Sequence, residues 1–326
     1  MFLVTGGAGF IGSNVVASLN NSGCSDIAVN DYLGPDDKWR NLAKRQIVDV
    51  VKPGDLFYWL DSRKLDAVIH LGAISDTTAT DASLVLDTNF RLSLRLLDWC
   101  TATGTPFIYA SSAATYGDGE PGFSDDWSLA ALRQLKPLNL YGWSKHVFDL
   151  VVAERSSRSQ KLPPQWAGLK FFNVFGPNEY HKGEMMSLIA KRFDQVKAGK
   201  PVQLFKSYRA GIEDGDQSRD FIYVDDATAV IRWLLDSPSV SGIFNVGTGQ
   251  ARSFRDLVVA MFRALGCAPN IEYVEMPPAI RDRYQYFTQG EVENLRRAGY
   301  NAGFTPIEEA IASYVSQFLN RADRYR

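Results

Sequence analysis

Tyr141 and Lys145 stand four positions apart in NLYGWSKHVFD, residues 139–149. On a helix that spacing puts the phenol and the ammonium on one face. A phenol with a pKa near about 10 is a poor base at neutral pH, and lowering it by about 3 units takes roughly 4 kcal/mol. One positive charge at about 5 Å contributes roughly 0.8 kcal/mol in water, and about 3 kcal/mol at an effective dielectric of about 20. The pair therefore does acid–base chemistry only in a partly dry pocket. On a solvated helix face the same two residues do none, so the decision falls to what surrounds them. Ser111 and Ser112 close the apolar run PFIYASS just upstream, and the Ser112 hydroxyl is the group to meet a substrate oxygen where alkoxide character develops.

A second constellation opens the chain. FLVTGGAGFIGSNVVASL reads as a strand, then Gly6 and the Gly7-Ala8-Gly9-Phe10-Ile11-Gly12 turn, then a helix. That is the context in which glycines let backbone approach a pyrophosphate at a helix N-terminus. The next strand, DIAVND, ends at Asp31, about 20 residues on, where an acid meets the adenosine ribose. Asp31 alone favours a free 2'-hydroxyl and hence NAD. Lys38 and Arg40 in the following loop would neutralise a 2'-phosphate, so NADP stays open.

The elements that must position these groups follow from periodicity. MFLVTGG, DIAVND, DAVIHLGA, PFIYASS and GLKFFNVFG read as strands, and 10–22, 83–101 and 140–156 as amphipathic helices between them. Their alternation predicts an α/β fold, a doubly wound parallel Rossmann sheet. In such a sheet ligands sit outside the carboxyl ends of the strands, which brings Ser112 and Tyr141 beside a bound nicotinamide. Residues 178–218 break the alternation, with a helix expected at 184–198 and then a polar loop. RDFIYVDDATAVIRWLL and GIFNVGTG return to it, and helices are expected at 253–266 and 306–319. The predicted division is a dinucleotide-binding domain of residues 1–173 and 219–248, and a smaller, discontinuous C-terminal substrate domain of 174–218 and 249–326.

Composition bounds the rest. The 326 residues are 45% hydrophobic and 22% charged, as in ordinary globular proteins, and the net charge of -2 offers no basic footprint for nucleic acid or anionic lipid. Cys24, Cys100 and Cys267 are odd in number and far apart, which argues against a disulfide framework and a metal site. No basic segment precedes the first apolar residues, and no apolar run reaches the roughly 18 residues of a membrane span. A soluble, cytoplasmic protein is expected.

Together TGGAGFIG, HLGA, ASSAATYG, YGWSK, FFNVFGP and RDFIYVDD resemble the extended short-chain dehydrogenase/reductase family, whose members process nucleotide-diphosphate sugars. TGGAGFIGSN, ASSAATYG, FNVFGPNEYHKG and RYQYFTQ are similar to its epimerase branch that inverts carbon 6 of an ADP-linked heptose in lipopolysaccharide precursor synthesis. The resemblance implies a tightly held NADP that takes and returns hydride, a transient keto sugar and a homo-oligomer such as a pentamer. It implies catalytic roles for Tyr141, Lys145, Ser112 and Lys182, the last as a second base. Cofactor positions implied by matching motifs are Gly6, Gly9, Phe10, Ile11, Gly12, Asp31, Tyr32, Lys38, Leu71, Gly72, Ala73, Ile74, Ser75, Asn89, Tyr141, Lys145 and Val174. Substrate positions are Ser112, Asn173, Glu184, Lys191, Phe205, Arg219 and Tyr284, of which Glu184 and Lys191 stand where the branch has serine and histidine. Ala113 and Ala114 follow Ser112 where dehydratases of the family carry an Asp-Glu pair, which disfavours elimination. A UDP-hexose 4-epimerase and a non-catalytic dinucleotide sensor remain as alternatives.

Overall fold

The computed structural model describes residues 1–281 and 284–326. Arg283, which opens the RYQYFTQ motif, lies outside the described residues. The first half supplies β1 (Phe2–Thr5), β2 (Ile27–Asn30), β3 (Asp49–Val51), β4 (Ala67–His70), β5 (Phe107–Ser112) and β6 (Trp166–Phe171). The second half supplies β7 (Asn173–Phe175), β8 (Val202–Phe205), β9 (Ser218–Tyr223), β10 (Gly242–Val246), β11 (Ala251–Ser253) and β12 (Ile271–Val274).

Seven strands form one parallel sheet in the order β10-β6-β5-β4-β1-β2-β3. The apolar runs are continuous rather than alternating because helices cover both faces of the sheet. One face packs against the helices Phe10–Asn21 and Val224–Leu235, through Val15, Val16, Val230 and Ile231. The other packs against Leu92–Thr103 and Leu140–Ser157, through Leu96, Leu97, Phe148 and Val152. β1 lies between β2 and β4, so the winding reverses there and opens a crevice at the ends of β1 and β4. The doubly wound parallel sheet expected from the alternation is the sheet observed.

Residues 218–223 depart from expectation. They do not return to the central sheet but form β9, parallel to β7 and antiparallel to β11. The strand that completes the large sheet is β10, paired with β6. β8 and β12 form a separate parallel pair. The helix expected at 184–198 runs Leu188–Lys197, started by the Ser187 side chain accepting from Ala190 N, and Tyr180–Met185 before it is a tight turn. A second core, built on Phe193, Met261, Phe262, Ile311 and Tyr314, joins that helix to Phe254–Ala264 and Ile307–Tyr314.

Candidate active site

Close backbone contacts make the glycine turn tight. Gly6 has a φ of +65, and a Cβ on it would lie 2.6 Å from the Gly72 nitrogen. A Cβ on Gly12 would lie 2.1 Å from the Gly6 carbonyl oxygen, so the first turn of the helix is pressed onto the loop. Gly9 differs, since an added Cβ would approach only the Gly6 carbonyl, at 3.0 Å, and otherwise meets open space. Gly9 caps the helix without a side-chain hydrogen bond and no acid occupies the first turn, leaving the Phe10, Ile11 and Gly12 amides for an anion. These residues fit a dinucleotide.

Asp31 closes this cradle at the end of β2. Its carboxylate accepts from Ala8 N at 2.9 Å, Tyr32 N at 2.7 Å and Lys38 Nζ at 2.6 Å. Tyr32 contributes that amide while its ring is exposed, and Arg40 turns outward to Asp37 and Trp39. Across the crevice, Leu71 N donates to the Thr5 carbonyl and Gly72 N to Thr5 Oγ1. Asn89 fixes the rest of the 71–75 segment, with Ile74 N donating to its Oδ1 at 2.8 Å. Its Nδ2 donates to the Ile74 carbonyl and to Ser144 Oγ, on the helix of Tyr141. Asn89 sits in a wide helical turn, Asp87–Arg91, that joins Ala82–Leu86 to Leu92–Thr103. Ala73 and Ser75 complete the segment, and Val174 stands on β7, half-buried.

Tyr141 enters on the first turn of Leu140–Ser157, capped by Asn139 Oδ1 accepting from Gly142 N at 2.8 Å. Ser112, at the end of β5, accepts from Ala114 N at 3.1 Å, and its hydroxyl faces the Tyr141 phenol. Lys145 lies one turn on, buried. The titration behaviour differs from the depressed phenol that the sequence suggests. Burial pushes Tyr141 above its ordinary value, the Ser112 hydroxyl opposes that, and the Asp149 charge adds to it. Burial pulls Lys145 down to about 8, against the Asp149 charge that holds it up. The chain alone thus keeps the phenol protonated, and lowering it is left to charge brought by a bound partner.

Lys182 stands in the Tyr180–Met185 turn with its Nζ 5.2 Å from the centre of the Phe10 ring, over the glycine turn. Burial lowers its pKa, Glu179 raises it and Lys191 lowers it again. Glu184 and Lys191 pair with each other at 3.0 Å on the rim, and Asn173 is exposed.

Arg219, Phe205 and Tyr284 converge. The guanidinium lies 5.4 Å from the Tyr284 ring and 5.7 Å from that of Phe254, while Phe205 meets Tyr284 edge-on at 6.2 Å. Arg219 is buried and donates to the Ser218 carbonyl, and among the described residues no carboxylate pairs with it. Asp220 beside it turns the other way, accepting from the amides of Thr248, Gly249 and Gly290. A buried guanidinium held by aromatic faces suits an incoming diphosphate.

Two charged residues that sequence reading missed lie behind Tyr141. Asp149 and Lys170 form a wholly buried ion pair at 2.8 Å. An aspartate inside the apolar stripe of a helix and a lysine inside the buried strand WAGLKF were the signals available.

Known proteins resemble this chain in sequence and in fold. The model of the NAD dependent epimerase/dehydratase family matches residues 2–247. ADP-L-glycero-D-manno-heptose-6-epimerase of Nitratidesulfovibrio vulgaris strain DP4 is 48% identical, over 100% of both chains. The protein of the same name from Fusobacterium nucleatum subsp. nucleatum is 44% identical, again over 100% of both. The crystal structure of the Helicobacter pylori enzyme of that name superposes with a TM-score of 0.80 at 28% identity, covering 97% of this chain and 95% of that one. Thermus thermophilus UDP-glucose 4-epimerase, solved with NAD, superposes with a TM-score of 0.73 at 27% identity, over 96% and 97%.

Proposed function

The chain belongs to the NAD-dependent epimerase/dehydratase family and is an enzyme that uses a nicotinamide dinucleotide, and from that premise we propose that it inverts carbon 6 of ADP-glycero-manno-heptose. What supports the reading is that two groups able to move a proton stand on separate elements, Tyr141 beside Ser112 at the end of β5 and Lys182 over the Phe10 ring of the glycine turn. An epimerase that works through a keto sugar must handle a proton while either face is presented, which is the use for a second base.

A bound nicotinamide would supply the hydride acceptor and, when oxidised, a positive charge. The residues of the chain do the remainder. Arg219, between Phe254 and Tyr284, grips the diphosphate and fixes the pivot about which the sugar turns. Ser112 hydrogen-bonds the reacting oxygen, and Tyr141 takes its proton as the carbon is oxidised. After the keto sugar turns, Lys182 returns a proton to the oxygen as the carbon is reduced from its other face. Lowered by burial, the Lys182 ammonium gives up its proton more readily than an exposed lysine.

NADP is the proposed cofactor. Asp31 is already neutralised by Lys38 at 2.6 Å, so a 2'-phosphate meets a balanced pair rather than a bare carboxylate. Mass spectrometry of nucleotide released on denaturation checks this, and NAD alone would contradict it. Among the described residues no helix is long and apolar enough to cross a membrane. A cytoplasmic homo-oligomer, a pentamer as the resemblance to the epimerase branch implies, completes the proposal.

The test follows carbon 6 by NMR after adding ADP-D-glycero-D-manno-heptose, with UDP-glucose in parallel. Conversion of the heptose is expected, and conversion of UDP-glucose alone favours the 4-epimerase. Tyr141→Phe is expected to lower turnover at least about 100-fold with cofactor retained, and Lys182→Ala to lower it similarly. Full turnover of Lys182→Ala would remove the two-base mechanism.

A further inference from the structure

Asp149 and Lys170 are both closed to solvent, at 0% and 1% exposure, and meet at 2.8 Å. Burying two charges is costly even when they pair, and well-packed apolar residues would serve stability as well or better. Their bonding suggests a different use. The Asp149 carboxylate accepts from Ser111 Oγ at 2.6 Å and from Tyr109 OH at 3.0 Å, both on β5. Lys170 Nζ, on β6, donates to Thr115 Oγ1 at 2.6 Å, and Thr115 Oγ1 donates to the Ser112 carbonyl at 2.8 Å. One continuous set of bonds thus runs from the helix of Tyr141 and Lys145 to the backbone of Ser112.

We propose that Asp149, held by Lys170, is a positioning residue for the proton-handling pair, locking the Tyr141 helix to the Ser112 end of β5. The inference rests on the reading that Tyr141 and Lys145 carry the proton chemistry. Asp149 lies on the Tyr141 face of the helix, one turn past Lys145 and two past Tyr141. It is the charged residue that acts on both, raising the phenol and the ammonium together. A rigid negative charge there keeps Lys145 cationic in a site whose burial would strip its proton. Other titratable groups face the network. His146, on the same helix, is lowered by burial and by Lys170, and Tyr116 stacks on Lys170 at 5.0 Å. His70, on β4, faces Lys145 and is pulled down to about 3 by burial and that charge. Asp125 and Glu291 reach Tyr116 from beyond.

The test uses Asp149→Asn and Asp149→Asn/Lys170→Met in the full chain with its cofactor. The first keeps the shape of the side chain, and the second removes both charges and leaves no unpaired lysine. The Tyr141 titration is read as the ultraviolet difference between each protein and its Tyr141→Phe counterpart, which requires no turnover. The pH profile of epimerisation is recorded beside it, and His146→Phe controls for the neighbouring imidazole. Loss of Asp149 is expected to move the Tyr141 titration and both limbs of the profile to lower pH, by on the order of one unit. A rate lowered equally at every pH, with the titration unmoved, makes the pair mere scaffolding and overturns the proposal. Failure of the double variant to fold does the same. Full turnover by Tyr141→Phe instead rejects the catalytic reading, while the titration still scores the Asp149 contact.

Discussion

Lys145 shows a functional group held at the expense of stability. Unfolded, its amine titrates near the ordinary 10.5, whereas folded it titrates near 8. Between those values the unfolded chain binds more protons than the folded one, so this contribution to stability rises with pH across the window. Below pH 8 the penalty is fully present, about 3 kcal/mol. Lys145→Met removes it. In protein freed of nucleotide this variant is expected to melt higher than the parent at pH 7, with the gap closing toward pH 10, although its turnover is lost. Thermal unfolding at both pH values checks this, and a gap that ignores pH would refute the charge penalty. Residues of this kind were half legible in sequence. Tyr141, Lys145 and Ser112 follow from spacing and position, but the direction of the Tyr141 shift does not, because it depends on burial and on Asp149 two turns away.

At the scale of elements, the glycine turn was legible because its geometry is local. A strand, a left-handed Gly6 and a helix pressed against the loop at Gly12 all lie within a dozen residues. β9 was not legible, because a strand of mixed polarity does not say which partner it will find, and β7 and β11 are short partners far away in sequence. The turn also separates two kinds of glycine. A methyl at Gly12 collides with backbone, so Gly12→Ala is expected to cost stability before function is reached. Gly9→Val meets only the Gly6 carbonyl, at 3.0 Å, and its branches extend toward the free amides of the helix N-terminus. It is expected to fold and to lose dinucleotide, measured as nucleotide content and melting temperature together. A normally loaded Gly9→Val protein would count against the cradle.

Across the whole molecule, the last residues tie the cofactor loops to the Lys182 turn. Arg326 Nη1 donates to Asn14 Oδ1 at 3.0 Å, on the glycine helix, and pairs with Asp225, while its backbone nitrogen donates to Asn178 Oδ1 at 2.9 Å. Asn178 in turn donates to Ser13 Oγ, and Tyr325 packs edge-on against Tyr180 at 5.3 Å. Tyr180 and Asn178 frame the turn that carries Lys182, and Asn41, near Lys38, donates to the Ala8 and Asn178 carbonyls. Nothing in an Arg-Tyr-Arg sequence signals such a role, since it arises only when the glycine helix and the segment around Asn178 lie side by side. Arg326→Ala deletes the guanidinium bonds to Asn14 and Asp225 and exposes polar groups that are partly buried. The expected cost is about 1–3 kcal/mol, read as a fall in melting temperature. The Asn14 amide released by the loss also donates to the Pro177 carbonyl, just ahead of the Lys182 turn, so turnover is expected to fall while the affinity for nucleotide at Asp31 and Lys38 holds. Equal losses of both would contradict a selective brace on the Lys182 turn, and a melting temperature identical to the parent would contradict the brace on the fold.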